Sequence, residues 1–96
     1  MNNGCIVSHR ILKDGYNVGY MYREYPSSNF PDSGWRFFEG SEDEKYNDNP
    51  DNFSIVCLET VISMDKSIKS YLNNDVGVAF FKKDGIFVKE ILSNKK

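Results

Sequence analysis

The single histidine of the chain, His9, is the residue type that most often acts as a general base. Ser8 precedes it, but neighbouring residues of a strand point to opposite faces, so the two cannot form a nucleophile–base dyad in a strand. Cys5 would share a face with His9, yet four strand residues separate them by roughly 13 Å, too far for activation of a thiolate. We therefore expect a packed or surface histidine beside Tyr20 and no catalytic site here.

A second candidate for chemistry is the acidic stretch from Glu39 to Asn52, where six carboxylates stand against Lys45 and leave a local charge of −5. It does not fit a calcium loop, because an EF-hand needs glycine at its sixth position and the possible registers place Asp48 or Phe53 there. Two isolated cysteines are too few for a zinc site, and no glycine-rich phosphate loop is present. These patterns predict a non-enzymatic protein without metal or cofactor.

Trp35 and Arg36 belong to the residue types most often found as anchors of protein interfaces. Strand alternation sends them to opposite faces, so a core tryptophan would leave the arginine facing outward or paired with an acid. The acidic stretch is either a solvated loop or a surface that steers a basic partner. As partner-binding residues we consider Trp35, Arg36, Glu42, Asp43, Glu44, Asp48 and Asp51.

Length and composition limit the elements that can position these residues. A chain of 96 residues with 40% hydrophobic and 15% aromatic residues predicts one globular domain over residues 1–96. A net charge of −2 and a pI near 5.3 argue against nucleic acid as a partner. Neither an apolar run of about 18 residues nor a signal-peptide pattern is visible, so we expect no membrane span and a cytoplasmic location.

Two Asp-Gly dipeptides between apolar-rich runs predict β-hairpins at the two ends of the chain. At Asp14-Gly15, a two-residue turn would place Ile11 opposite Val18 and His9 opposite Tyr20 on a core face. The first hairpin would therefore join the first two strands directly.

At Asp84-Gly85 the same construction places Phe81 opposite Val88 on one face, with Phe80 and Val78 on the other. Both faces of this ribbon are apolar. The pattern predicts either packing on both sides, which we favour, or one face left free for a partner.

The middle of the chain predicts another strand and two short helices. Trp35–Glu39 has the composition of a strand, whereas residues 40–52 form a polar loop with a short helical turn. Apolar spacing indicates one helix from Leu58 and a second capped by Asp65, and Cys57 is expected to be buried. The predicted fold is α+β, with a mainly antiparallel sheet of about five strands, N- and C-terminal hairpins and the two helices on one side.

Four stretches of the chain carry a family resemblance, and the most specific contains Ser-Gly-Trp-Arg-Phe-Phe: residues 18–24, 32–40, 46–52 and 76–80. In these stretches the chain resembles the bacterial immunity protein 33-like family, once catalogued as a domain of unknown function and later grouped with immunity proteins of polymorphic toxin systems. The resemblance implies a small cytoplasmic protein that binds and neutralises a protein partner, such as a cognate toxin encoded nearby. It supplies no catalytic residues.

One alternative stays open beside this resemblance. The chain could be a stand-alone regulatory module that binds a small ligand or another protein. An apolar pocket lined by Tyr20, Tyr22 or Trp35 would favour that function, whereas a co-purifying toxin would favour the immunity function.

Overall fold

Six strands form one mixed sheet in this computed structural model, which describes residues 3–90. The strands are β1 (Gly4–Ser8), β2 (Tyr20–Arg23), β3 (Asp32–Phe38), β4 (Phe53–Cys57), β5 (Ala79–Lys83) and β6 (Ile86–Lys89). The helices are α1 (His9–Leu12), α2 (Glu44–Asn47) and α3 (Leu58–Met64), with 3₁₀ segments at Pro50–Asn52 and Lys66–Tyr71. The strand order is β4-β1-β3-β2-β5-β6, and all neighbours are antiparallel except β1 and β3. The predicted α+β class is confirmed.

β1 and β2 do not pair, so the predicted N-terminal hairpin is wrong. β3 lies between them and runs parallel to β1. His9 does not face Tyr20; it begins α1, and its Nε2 lies 2.7 Å from Oγ of Ser54. Ile11 and Val18 are fully buried, but from α1 and the connection after it rather than from paired strands. A dipeptide signal is local and carries no information about a distant strand that inserts between its flanks.

Ser8 and Gly15 explain why the chain forms a helical turn at this point. The Ser8 hydroxyl accepts a hydrogen bond of 3.2 Å from the backbone N–H of Arg10, as an N-cap does. Gly15 has a φ of +80°, and its N–H donates to the carbonyl oxygen of Ile11 at 3.3 Å. A helix end uses this left-handed glycine as readily as a hairpin does.

β5 and β6 form the predicted C-terminal hairpin. Asp84 and Gly85 have φ values of +54° and +81°, as a type I′ turn requires. Phe81 pairs with Val88 as predicted. Phe80 is buried, whereas Phe81 and Val88 are 37% and 39% exposed, so the favoured packing on both sides is not found among residues 3–90. One face of this ribbon is covered and the other is open.

The hydrophobic core lies on one face of the sheet, between the strands and the segments around α1, α3 and residues 66–71. At its centre the rings of Trp35 and Phe37 stack with centroids 6.1 Å apart, and Trp35 Nε1 donates to the carbonyl oxygen of Leu72 at 3.2 Å. The predicted helices therefore lie on one side of the sheet. Fully buried side chains of this core are Cys5, Val7, Ile11, Val18, Met21, Trp35, Phe37, Val61 and Ile68.

Asp65 caps the second predicted helix, which is a 3₁₀ segment. Its carboxylate accepts hydrogen bonds from the N–H groups of Ser67 at 3.0 Å and Val18 at 2.9 Å, and lies 3.6 Å from Nζ of Lys82. Burial alone raises the pKa of Asp65, but these hydrogen bonds and the lysine outweigh it and lower the pKa. One carboxylate thus joins the 3₁₀ segment to the connection that precedes β2 and to Lys82 of β5.

β4 was not predicted, and Cys57, which was expected to be buried, is exposed. β4 is an edge strand, so its alternation leaves Ile55 57% exposed and Cys57 exposed, while Val56 packs against the core. Cys5 is fully buried on β1. Its burial, followed by the nearby Cys57, raises the pKa of the Cys5 thiol to about 12, so this thiol is protonated at neutral pH.

Candidate functional site

The second face of the sheet, opposite the core, carries a cavity of about 810 Å³. Strand register explains its lining, because directly opposed residues share a face. Ile6 of β1 stands opposite Arg36 of β3, and Tyr20 of β2 stands opposite Phe38. The main lining side chains are Ile6, Tyr20, Tyr22, Glu24, Arg36, Phe38, Glu42, Asp48, Phe53 and Ile55.

Aromatic rings form the floor of this cavity. Tyr22 stacks on Phe38 with centroids 5.8 Å apart and ring planes 12° apart, and Phe53 meets Phe38 edge-on at 5.8 Å. Tyr20 lies 6.0 Å from Phe38, and its hydroxyl donates to Oε1 of Glu90 at 3.1 Å. Burial, with the Glu90 hydrogen bond, raises the pKa of Tyr20 to about 12. Its hydroxyl is therefore neutral at neutral pH.

Arg36 is the cation of the cavity wall, and it is only 4% exposed. Its Nη1 and Nη2 lie 2.9 and 2.7 Å from the two carboxylate oxygens of Asp32, a bidentate pair. Its Nε lies 2.6 Å from Oε2 of Glu24, whose side chain is 49% exposed. The hydrogen bond to Asp32 raises the pKa of Arg36, so the guanidinium stays charged.

Asp32 holds this arginine from inside the protein, since it is 1% exposed. Its carboxylate also accepts hydrogen bonds from the backbone N–H of Ser27 at 2.7 Å and of Gly34 at 2.9 Å. Burial alone would raise the pKa of Asp32, but Arg36 and these two N–H groups lower it to about 2. Gly34 has a φ of +93°, which lets the chain bend so that Asp32 can reach the arginine.

The acidic stretch forms a wall of the cavity, and two of its acids hold the loop together. Glu42 accepts hydrogen bonds from the backbone N–H groups of Glu39 and Gly40, both at 2.8 Å. Burial alone would raise the pKa of Glu42, but hydrogen bonds from Ser8 and from the backbone outweigh this effect, so the pKa lies below its ordinary value. Asp43 caps α2 by accepting from the N–H of Tyr46 at 2.8 Å.

The structure separates the seven predicted partner-binding residues into three groups. Arg36, Glu42 and Asp48 line the cavity. Trp35 is fully buried on the other face of β3, within the core. The remaining three are exposed on the loop outside the cavity lining: Asp43, Glu44 and Asp51.

Several residues that line the cavity were not among the seven predicted partner-binding residues. Glu24 was missed because a lone glutamate after a strand gives no signal of its arginine partner. Tyr20 and Tyr22 stand two residues apart on β2, the spacing that places two side chains on one strand face. Both tyrosines were considered for a ligand pocket, but Tyr20 was predicted on the core face of the N-terminal hairpin; the structure places both on the face opposite the core.

The described residues provide little for catalysis or metal binding. Among residues 3–90, no three His, Cys, Asp or Glu side chains cluster as metal ligands would. His9 and Ser54 lie within hydrogen-bond distance, but none of the ion pairs in this part of the chain involves His9, so no carboxylate orients its ring as in a triad. Over the same residues, no helix has the length and apolar character needed to cross a bilayer.

Comparison with known proteins places these features in one family. The model of the Immunity protein Imm33 domain matches residues 5–91, a range that includes β2 to β6, β1 except for Gly4, and every described residue of the cavity lining. No curated protein and no solved structure gives a significant match. Because the family model covers nearly the whole chain, the protein belongs to the Imm33 immunity protein domain family.

Proposed function

We propose that this protein is a cytoplasmic, non-enzymatic immunity protein that binds a bacterial toxin and neutralises it through the open face of the sheet. Family membership supports the immunity role. The observation that carries the choice of surface is the aromatic cavity on the sheet face opposite the core. Soluble proteins rarely leave such apolar surface uncovered unless it contacts a partner.

Apolar side chains extend this surface beyond the cavity. Ile55, on the edge strand β4, belongs to the cavity lining and is 57% exposed. Beyond the cavity, at the other end of the sheet, Phe81, Val88 and Ile86 are 37%, 39% and 65% exposed. Tyr20 pairs with Phe81, and Phe81 with Val88, so the register joins the cavity floor to this second apolar region. A continuous face across the sheet has the extent that a protein partner, rather than a small ligand, would cover.

Charge supports a basic partner. Glu44, Asp48 and Asp51 are exposed on the loop beside the cavity, while Glu42 and Asp43 are engaged in loop hydrogen bonds. A toxin that attacks nucleic acid tends to be basic, and an acidic surface raises the rate at which such a partner associates. In this proposal Arg36 contacts the partner, and Trp35 packs against the core on the opposite face of β3.

The test is co-expression with the toxin candidate encoded beside this gene, followed by growth assays and calorimetry on the purified pair. We expect Ile55→Lys to weaken binding by about tenfold or more and to reduce protection, because it places a charge among the apolar side chains at the β4 end of the open face. Met64→Lys is the matched control, since Met64 is a similarly apolar, 37% exposed residue on α3, on the other side of the sheet. Equal binding by both variants would remove the open face from the interface.

The acidic loop is tested separately by association kinetics. Reversing Glu44, Asp48 and Asp51 to lysine leaves the loop hydrogen bonds of Glu42 and Asp43 in place. We expect the association rate to fall strongly at low salt and little at high salt, because screened charges no longer steer the encounter. An unchanged rate at low salt would show that these acids do not face the partner.

Cavity size supports a second candidate function, binding of a small ligand. A volume of about 810 Å³ lies in the range of small-molecule sites, and Tyr20 and Tyr22 line it as that alternative requires. Thermal-shift screening of a metabolite library tests it. A ligand that raises the unfolding temperature of the protein, but not of a Tyr22→Ala variant, would favour this function over toxin binding.

A further inference from the structure

The charges of the cavity do not balance, and their sign points to the chemistry of the occupant. Among residues 3–90, three carboxylates line it, those of Glu24, Glu42 and Asp48, and the cation of its wall is Arg36. Arg36 already forms a bidentate pair with Asp32, which is buried beneath the cavity surface. The arginine is therefore neutralised from inside, and the three lining carboxylates leave an excess of negative charge.

The aromatic floor favours a cation for an independent reason. The faces of aromatic rings carry negative potential and attract a guanidinium or ammonium group, most strongly where water is displaced. Tyr22, Phe38 and Phe53 all line the cavity, with the ring planes of Tyr22 and Phe38 nearly parallel and Phe53 edge-on to Phe38. The apolar stem of a long basic side chain would cover these rings while its charged end reached the carboxylates.

From these two observations we infer that the cavity receives a lysine or arginine side chain from the protein partner. This inference rests on the proposed function and names the chemistry of the contact. Arginine fits better than lysine, because its planar guanidinium both stacks on aromatic rings and bonds carboxylates through several N–H groups. Glu24 is positioned to meet it, since its Oε2 is held by Arg36 while half of its side chain remains exposed.

Peptide probes test the inference without the toxin. The full chain, labelled with ¹⁵N, is titrated with acetyl-Leu-Arg-Leu-amide and with the same peptide carrying citrulline, which has nearly the same shape but no charge. We expect the arginine peptide to shift the amide signals of Tyr20, Tyr22 and Phe38, and to bind about tenfold or more tightly than the citrulline peptide at low salt. The same peptide with lysine in place of arginine should bind with an affinity between those of the other two.

Two conservative variants locate the contact. Glu24→Gln and Asp48→Asn each remove one negative charge from the cavity, and we expect each to weaken the arginine peptide by roughly fivefold. Glu59→Gln is the matched control, because it removes the same charge from an exposed position on α3, on the side of the core. The amide spectra of the variants also report directly whether each one is folded.

The outcomes separate this inference from the proposed function. Equal binding of arginine and citrulline peptides, or signal shifts confined to residues outside the cavity, would overturn the inference, while toxin capture and its sensitivity to Ile55→Lys would be unaffected. Conversely, a cavity that binds the arginine peptide in a protein that does not protect against the toxin would remove the proposed function and leave the cation site in place.

Discussion

The buried pair of Asp32 and Arg36 gives the sharpest prediction for stability. Asp32 is 1% exposed, and its pKa is about 2 instead of the ordinary 3.8. That lowering corresponds to about 2 kcal/mol of stabilisation of the folded protein by the ionised carboxylate. Asp32→Asn also leaves the buried Arg36 guanidinium with one anionic partner instead of two. We therefore expect this variant to lose about 2 to 4 kcal/mol of free energy of unfolding at pH 7.

The pH dependence has a definite sign. A carboxyl group with a lowered pKa in the folded state contributes its full stabilisation above pH 3.8, and this contribution is lost as the pH falls through about 2. The Asp32→Asn variant lacks the group. The difference in stability between wild type and variant should therefore be constant from pH 7 to about pH 5 and shrink steadily towards pH 2.

Urea unfolding between pH 2 and pH 7 measures both effects, with the fluorescence of the single, fully buried Trp35 as the signal. Glu24→Gln is a control within the same cluster. Glu24 also contacts Arg36, at 2.6 Å, but its side chain is 49% exposed, so its loss should cost about 1 kcal/mol or less. Two results would contradict the reasoning: a loss of unfolding free energy in Asp32→Asn no larger than in Glu24→Gln, or a stability difference from wild type that does not change with pH. Either would show that burial does not set the strength of the Asp32–Arg36 pair.

Three further predictions concern the fold. Cys57 should react with a thiol reagent in the native protein, whereas Cys5, buried and with its pKa raised to about 12, should react only on unfolding; two equally fast thiols would contradict this. Gly34→Ala should prevent folding, because the new methyl group would overlap the backbone carbonyl oxygen of Glu24. Gly85 has open space around it, so Gly85→Ala should lower the free energy of unfolding by only about 1 kcal/mol, for the positive φ at this position. Thermal unfolding measures both effects. Glu42→Ala should lower stability by about 1 to 2 kcal/mol and speed amide exchange in residues 39–47, and protection equal to wild type would show that its hydrogen bonds do not hold the loop.

Local signals in the sequence were sufficient for several elements. The Asp84-Gly85 turn was correct, including the pairing of Phe81 with Val88, because a type I′ turn fixes the register of its two strands. Asp65 was correctly identified as a cap, since an N-cap depends only on the residues that follow it. The α+β class followed from the order of such elements.

Local signals failed where distant segments decide the outcome. Asp14-Gly15 fits a hairpin and a helix end equally well, and the insertion of β3 between β1 and β2 selects the helix end. β4 was missed because an edge strand of five residues shows too few alternations to separate it from the helix that follows. The exposure of Cys57 depends on the same edge position.

For the candidate site, the sequence by itself determined two features. Strand alternation sends Trp35 and Arg36 to opposite faces, and acids are in excess between Glu39 and Asn52. Only the tertiary structure decided their arrangement. It turned Trp35 into the core, paired Arg36 with Asp32 and Glu24, and brought the tyrosines of β2 beside the acidic loop. The reason is physical: composition and period set which face a side chain takes, whereas strand order and register across the whole chain set which side chains meet on that face.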